Sequence, residues 1–125
     1  MNDLFKSLEK QLETARRRDD FPTVAKVQWQ LAQLDIKQDD FVSALARVME
    51  SLTLNRKLGR IDGVCAVGLI AGQLMAAGGQ KEQAREILTE VRNGFQKLGQ
   101  PRGVQQADKL IALLNSGGPP QPSLN

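Results

Sequence analysis

Residues 63–80, GVCAVGLIAGQLMAAGGQ, contain no charged side chain, although a quarter of the whole chain is charged. The stretch holds five of the eleven glycines and the only cysteine. It is long enough for a membrane span, but only six of its residues are large aliphatics, so its transfer into lipid would be marginal. It also lacks the GxGxxG and Gly-Lys-Ser/Thr patterns of phosphate-binding loops. The remaining interpretation is a buried helix.

The stretch belongs to a repeat of forty residues. Shifting the sequence by forty aligns residues 58–64, LGRIDGV, with residues 98–104, LGQPRGV. A pair of amphipathic helices cannot bury its apolar face alone, so a repeating helical hairpin is typical of stacked arrays. The uncharged stretch falls on the first helix of the central hairpin, which we expect to be the most buried helix. The same shift aligns three further sets, of which the last is all small: Leu8, Val48 and Leu88; Val24, Val64 and Val104; and Ala32, Gly72 and Ala112.

Apolar residues three or four positions apart predict six helices. Asp20 is placed to cap the second helix and the pair Asp39-Asp40 to cap the third, and Gly59 is placed to end the third in a left-handed conformation. The predicted ranges are about 3–18, 21–37, 41–58, 62–77, 80–98 and 101–115. The last ten residues, SGGPPQPSLN, are predicted to be a disordered Gly/Pro-rich tail, 116–125, which leaves residues 1–115 as the helical domain.

The side-chain chemistry argues against an enzyme. The chain has no histidine to activate Cys65, and the aspartate pairs at 19–20 and 39–40 precede helices, where capping explains them. No catalytic residue, cofactor or metal site is predicted. The net charge is +3, and basic and acidic residues are interspersed along the chain, so nucleic acid is not a predicted partner. One cysteine, no secretory signal and no membrane span predict a cytoplasmic protein.

Basic residues recur in the last turns of several predicted helices: Arg16, Arg17, Arg18, Arg56, Lys57 and Lys97. Cations at these positions offset the partial negative charge of a helix C-terminus. The alternative interpretation is an acidic partner or an anionic surface, because the repeat would align these groups along one edge.

Pairs of small residues lie twelve positions apart across a turn, Ala32 with Ala44 and Gly72 with Ala84. This spacing resembles the tetratricopeptide (TPR) repeat, whose second helix begins with a Gly-polar-aromatic-x-x-Ala run. Residues 39–44, DDFVSA, and 79–84, GQKEQA, are similar to that run. The resemblance covers about residues 3–115. It departs from the family in its forty-residue unit and in the first-helix aromatics, because Gln28, Asp35, Gly68 and Met75 stand where Trp or Tyr is common.

The resemblance implies an all-α fold, a right-handed helical-hairpin solenoid (a TPR-like superhelix) of six antiparallel helices. It also implies a non-enzymatic adaptor or scaffold that binds a peptide or helix of another protein in a concave groove. Trp29 is either an exposed anchor there or packs against the first helix. The chaperone-tail carboxylate clamp is not expected, because Trp29, Gln33 and Ile70 occupy three of its places. The groove residues carried over from the family are Lys26, Trp29, Gln33, Ile36, Lys37, Ala66, Leu69, Gln73, Ala76, Gln106, Lys109 and Leu113.

The alternative function is self-association into a homodimer or larger assembly. With so few repeats, the terminal helices are expected to have poorly capped outer faces. The residues expected to mediate this contact are Leu4, Leu8, Leu110 and Leu114.

Overall fold

A computed structural model describes residues 3–117, and this part of the chain is all-α, with no strand. Its helices are α1 (Asp3–Arg17), α2 (Phe21–Lys37), α3 (Phe41–Lys57), α4 (Ile61–Ala77), α5 (Lys81–Lys97) and α6 (Pro101–Asn115). The predicted ranges are confirmed to within one residue at each end. The chain forms two compact units, unit 1 with α1–α3 up to Arg60 and unit 2 with α4–α6 from Ile61. Most of the predicted tail, residues 118–125, lies outside the described residues.

Five helices end in the same way, because a residue with positive φ occurs every twenty positions. These residues are Asp19, Asp39, Gly59, Gly79 and Gly99, with φ between 52° and 83°. The next backbone N–H donates to the carbonyl five residues earlier, as from Arg60 to Asn55 at 3.0 Å. This hydrogen bond satisfies a carbonyl that the helix end would leave unpaired. Each connection therefore needs only three residues, and successive helices within a unit run antiparallel.

The structure separates the roles of the paired aspartates. Asp20 is the cap that was predicted, and of the pair Asp39-Asp40 it is Asp40 that caps α3: their carboxylates accept from the backbone N–H groups of Thr23 at 3.3 Å and Ser43 at 3.1 Å. The aspartate before each cap instead takes the left-handed conformation that glycine takes in later connections. Aspartate is one of the few other residues that adopts this conformation readily.

In unit 1, α2 packs against both α1 and α3. Leu8 of α1 packs with Val27 and Leu31 of α2, and Phe5, Leu12 and Leu34 surround them. Leu8 is only 4% exposed, because its side chain belongs to this core. The prediction that Leu8 lies on an outer face for self-association is therefore wrong. The same prediction fails for Leu114 of unit 2, which is also 4% exposed.

In unit 2, α5 packs against both α4 and α6, and missing side chains let α4 and α5 approach closely. A Cβ atom at Gly72 would lie 2.6 Å from the Cγ of Leu88, and one at Gly94 would lie 2.6 Å from the Sγ of Cys65. These distances are shorter than carbon contacts allow. Both glycines are therefore spacing residues. As predicted, α4 contains more buried residues than any other described helix.

The hairpins α2–α3 and α4–α5 have nearly the same burial pattern, but they differ in which helix carries the larger side chain at a contact. Buried positions of α2, such as Val24, recur forty residues later in α4, as Val64. Where unit 2 pairs Gly72 with the larger Leu88, unit 1 has Ala32 and Val48 at the corresponding positions. Close packing requires the summed volume to be kept, so a gain on one helix is matched by a loss on the other.

Candidate interaction surfaces

The predicted groove residues of α2 share one face of that helix. Lys26, Trp29, Gln33, Ile36 and Lys37 recur three or four positions apart, and the buried residues of α2 lie on the opposite face. Lys26, Gln33 and Lys37 are exposed. Trp29 and Ile36 are half-buried, so Trp29 is neither a core residue nor a fully exposed one. We refer to these five residues as the α2 stripe.

The corresponding face of α4 in unit 2 is smaller and less polar. Ala66 and Gln73 are exposed and Leu69 is half-buried, whereas Ala76 is only 8% exposed and offers little surface to a partner. The Gln73 amide donates to the Leu69 carbonyl of its own helix at 3.1 Å. Gln33, its counterpart in α2, makes no such bond. The α2 stripe therefore has more unused hydrogen-bonding capacity.

The predicted residues of α6 are all exposed. Gln106, Lys109 and Leu113 lie on one face of this helix in unit 2, and Leu113 is 42% exposed. One exposed leucine between two polar residues is common on protein surfaces. This face alone is a weak candidate for a binding site.

A partly buried polar network in unit 1 was not predicted. The Arg47 guanidinium of α3 donates from Nε to the Asp35 carboxylate of α2 at 2.8 Å and from Nη1 to Gln28 Oε1 at 2.9 Å. Gln28 Nε2 donates in turn to Glu50 of α3 at 2.6 Å. Glu50 also accepts two bonds from Arg16 of α1, at 2.6 and 2.8 Å. The network therefore joins all three helices of unit 1.

The charges in this network support one another. Hydrogen bonds from Arg16 are the main reason why the pKa of Glu50 lies below its ordinary value, and burial opposes them. The same pair raises the pKa of Arg16. The Arg47 guanidinium also lies 5.5 Å from the centre of the Phe5 ring, a favourable cation–π distance. These groups are satisfied by one another, so the network serves to hold the helices of unit 1 in register.

Buried polar residues distinguish unit 1 from unit 2. Among the described residues they are Gln28, Asp35, Ser51 and Asn55, all in unit 1. Forty positions later the chain has Gly68, Met75, Val91 and Phe95. The sequence did contain a signal for the network, since Asp35 and Arg47 lie twelve residues apart, the spacing of the small pairs that bring α2 and α3 together.

Each unit has a buried hydrogen bond from a side chain of one helix to a backbone carbonyl of the next, and the helix that donates differs between the units. The Ser51 hydroxyl of α3 donates to the Ala25 carbonyl of α2 at 2.8 Å. In unit 2 the Cys65 thiol of α4 donates to the Val91 carbonyl of α5, with a sulfur–oxygen distance of 3.6 Å. The polar side chain has moved from the second helix of the hairpin to the first. Burial raises the pKa of Cys65, with a further contribution from Asp62 and Glu90, which favours an unreactive thiol.

Two kinds of site are not found in the described part of the chain. No group of three or more His, Cys, Asp or Glu side chains is arranged to hold a metal ion among residues 3–117. Over the same residues, no helix is both long enough and apolar enough to cross a membrane.

No family model matches the chain, and no curated protein is significantly similar to it. The TPR-like resemblance therefore stays a prediction, based on the forty-residue repeat and the small pairs.

Proposed function

We propose that the protein is a TPR-like, non-enzymatic adaptor of the cytoplasm whose first-helix faces bind a peptide or helix of another protein. The observation that carries this proposal is the α2 stripe. It combines an aromatic and an aliphatic side chain with two cations and an amide on the one face of α2 that the unit 1 core does not use. Such a face is typical of a helix that binds a segment of another protein.

Trp29 is the strongest anchor in the stripe. Within residues 3–117 its indole N–H has no hydrogen-bond acceptor, and its ring is only partly covered. A partner could bury the exposed part of the ring and accept a hydrogen bond from the indole N–H. Tryptophan is enriched among residues that dominate binding energy because it buries a large rigid surface. Lys26 and Lys37 flank the apolar pair and favour a partner with acidic residues at its edges.

The dimensions of the stripe suit a short helical or extended segment. Lys26 and Lys37 are eleven residues apart, which corresponds to about 16 Å along a helix. A partner helix of about three turns would cover that length. The self-association alternative is weaker, because two of its four expected contact residues are core residues of their own units.

The experiment begins with affinity capture by the wild-type protein and identification of the captured proteins by mass spectrometry. The dissociation constant of each candidate is then measured with wild type, Trp29→Ala and the matched control Phe41→Ala. Phe41 is 50% exposed and lies outside the stripe. We expect Trp29→Ala to weaken binding about 30-fold, the effect of a typical hot spot, and Phe41→Ala to change it little. Equal affinities for folded wild type and Trp29→Ala would refute the proposal.

A further inference from the structure

A shallow cleft of about 380 Å³ lies between α1 and the start of α2 in unit 1. One polar stripe of α1 forms its wall, with Ser7, Lys10, Gln11 and Thr14 three or four positions apart and Arg18 continuing the line. Asp20 and Thr23, at the start of α2, close the opposite side. From Ser7 to Arg18 the wall is about 16 Å long, the length of roughly five extended residues.

The lining presents both hydrogen-bond donors and acceptors. Within residues 3–117, neither the Lys10 ammonium nor the Arg18 guanidinium has an acidic partner. Among residues 3–117, the α1 side of the cleft has one side-chain hydrogen bond, a long one of 3.5 Å from the Gln11 amide to the Ser7 hydroxyl. Asp20 uses one carboxylate oxygen to cap α2, which leaves the other free to accept. The cleft therefore provides positive charge and an acceptor side by side.

The positive charge at the end of unit 1 where α1 and α3 finish exceeds what helix ends require, and Arg18 brings part of it to the cleft. Since α1 and α3 both run antiparallel to α2, Arg17 and Arg18 lie at the same end of unit 1 as Lys57 and Arg60. In unit 2, α5 ends in the same capping geometry with Lys97 as its only basic residue in the last turn. Helix α4 ends with no basic residue in its last turn. Offsetting helix dipoles therefore does not account for the four cations.

We propose that this cleft binds an acidic peptide segment of another protein. Its glutamate or aspartate side chains bind Lys10 and Arg18, and its backbone N–H groups donate to Asp20 and to the hydroxyl oxygens. A peptide fits better than nucleic acid or an anionic membrane, because it alternates N–H donors with carbonyl acceptors. A dense row of phosphates would instead meet the Asp20 carboxylate and be repelled. This binding site is separate from the α2 stripe and does not require it.

The test measures fluorescence anisotropy of a labelled peptide of alternating glutamate and glycine, titrated with the whole protein. We expect saturable binding that weakens as salt is raised, because exposed charges are screened. The double variant Lys10→Glu, Arg18→Glu should bind about tenfold more weakly, since two attractions become repulsions. The matched control is the double variant Lys97→Glu, Arg102→Glu, which reverses two exposed charges in unit 2 and should change the affinity little.

Three results would overturn the proposal. One is the absence of saturable binding to the acidic peptide. Another is equal weakening by Lys10→Glu, Arg18→Glu and by the control Lys97→Glu, Arg102→Glu, which would indicate a general charge effect. The third is tighter binding to a single-stranded DNA oligonucleotide or to phosphatidylglycerol vesicles than to the peptide. Trp29→Ala should leave peptide binding unchanged, so failure here and failure of the α2 stripe are distinguishable. Circular dichroism of each variant shows whether its fold is retained.

Discussion

Placing the residues of unit 2 at the equivalent positions of unit 1 tests how the buried Asp35–Arg47 ion pair contributes to stability. Asp35 and Arg47 are replaced, singly and together, by Met and Ile, the residues that occupy the equivalent positions of unit 2. Asp35→Met removes the carboxylate and leaves the Arg47 guanidinium with Gln28 and the Phe5 ring. The double change Asp35→Met, Arg47→Ile removes both charges and restores an apolar contact.

The exposures of the two side chains determine the expected magnitude. Removing one partner of a fully buried pair costs about 3–5 kcal/mol of unfolding free energy. The Asp35 side chain is 6% exposed and that of Arg47 is 20% exposed, so some water reaches the guanidinium. We therefore expect about 3 kcal/mol for Asp35→Met. The double variant should lose only about 1 kcal/mol, because Gln28 keeps its bond to Glu50 and loses the one from Arg47.

The Arg92–Asp108 pair provides the control, because it has similar geometry in an exposed position. Its distance is 2.7 Å, and its side chains are 35% and 50% exposed. Solvent screens such a pair, so Asp108→Ala should cost less than about 1 kcal/mol. Urea unfolding followed by circular dichroism gives the midpoint and slope for each variant. The reasoning is refuted if the double variant is as unstable as Asp35→Met, or if Asp108→Ala costs as much as Asp35→Met.

Three further predictions concern single contacts. Because the folded pKa of Glu50 is lowered, its contribution is present above an ordinary glutamate pKa of about 4.3 and is lost as pH falls through the folded value. Glu50→Gln should therefore lower the urea midpoint at pH 7, and its difference from wild type should shrink in acid; a constant difference would contradict this. Gly94→Ala should cost about 1–3 kcal/mol through its clash with Cys65, and adding Cys65→Ala should restore most of that loss; no restoration would show that the clash is not the cause. Asp40→Ala should cost about 1 kcal/mol by removing the cap of α3, whereas Val42→Ala, at an 84% exposed position, should change the midpoint little.

Local signals predicted the helices well, because caps and turns depend on neighbouring residues. Asp20, Asp40 and Gly59 act as the sequence indicated. The left-handed conformation of Asp39 was missed, because an aspartate before a helix is equally typical of a cap. The burial of Leu8 was missed for a different reason. Its helical face was evident, but whether a partner helix covers that face depends on tertiary packing.

The candidate sites show the same contrast between local and tertiary information. The residues of the α2 stripe were carried over from the family resemblance, and they share one face of α2 because they recur at helical spacing. The network around Arg47 required knowing that α3 brings it against Asp35 and Gln28. Read alone, these residues indicated only a departure from the family pattern. Polar side chains in a helix interface can be interpreted only when their partners on the next helix are known.

The matched differences between the two α-hairpins also protect the chain against pairing its own helices wrongly. Since α2 and α4 have nearly the same apolar pattern, α2 could in principle fold against α5 during synthesis. That pairing would bury Asp35 opposite Ile87 without a cation. The reciprocal pairing of α4 with α3 would force Cys65 against Leu54, which stands where unit 2 has Gly94. A near-duplicated sequence is prone to such traps, and here each wrong pairing carries a cost in charge or in volume that the native hairpins avoid.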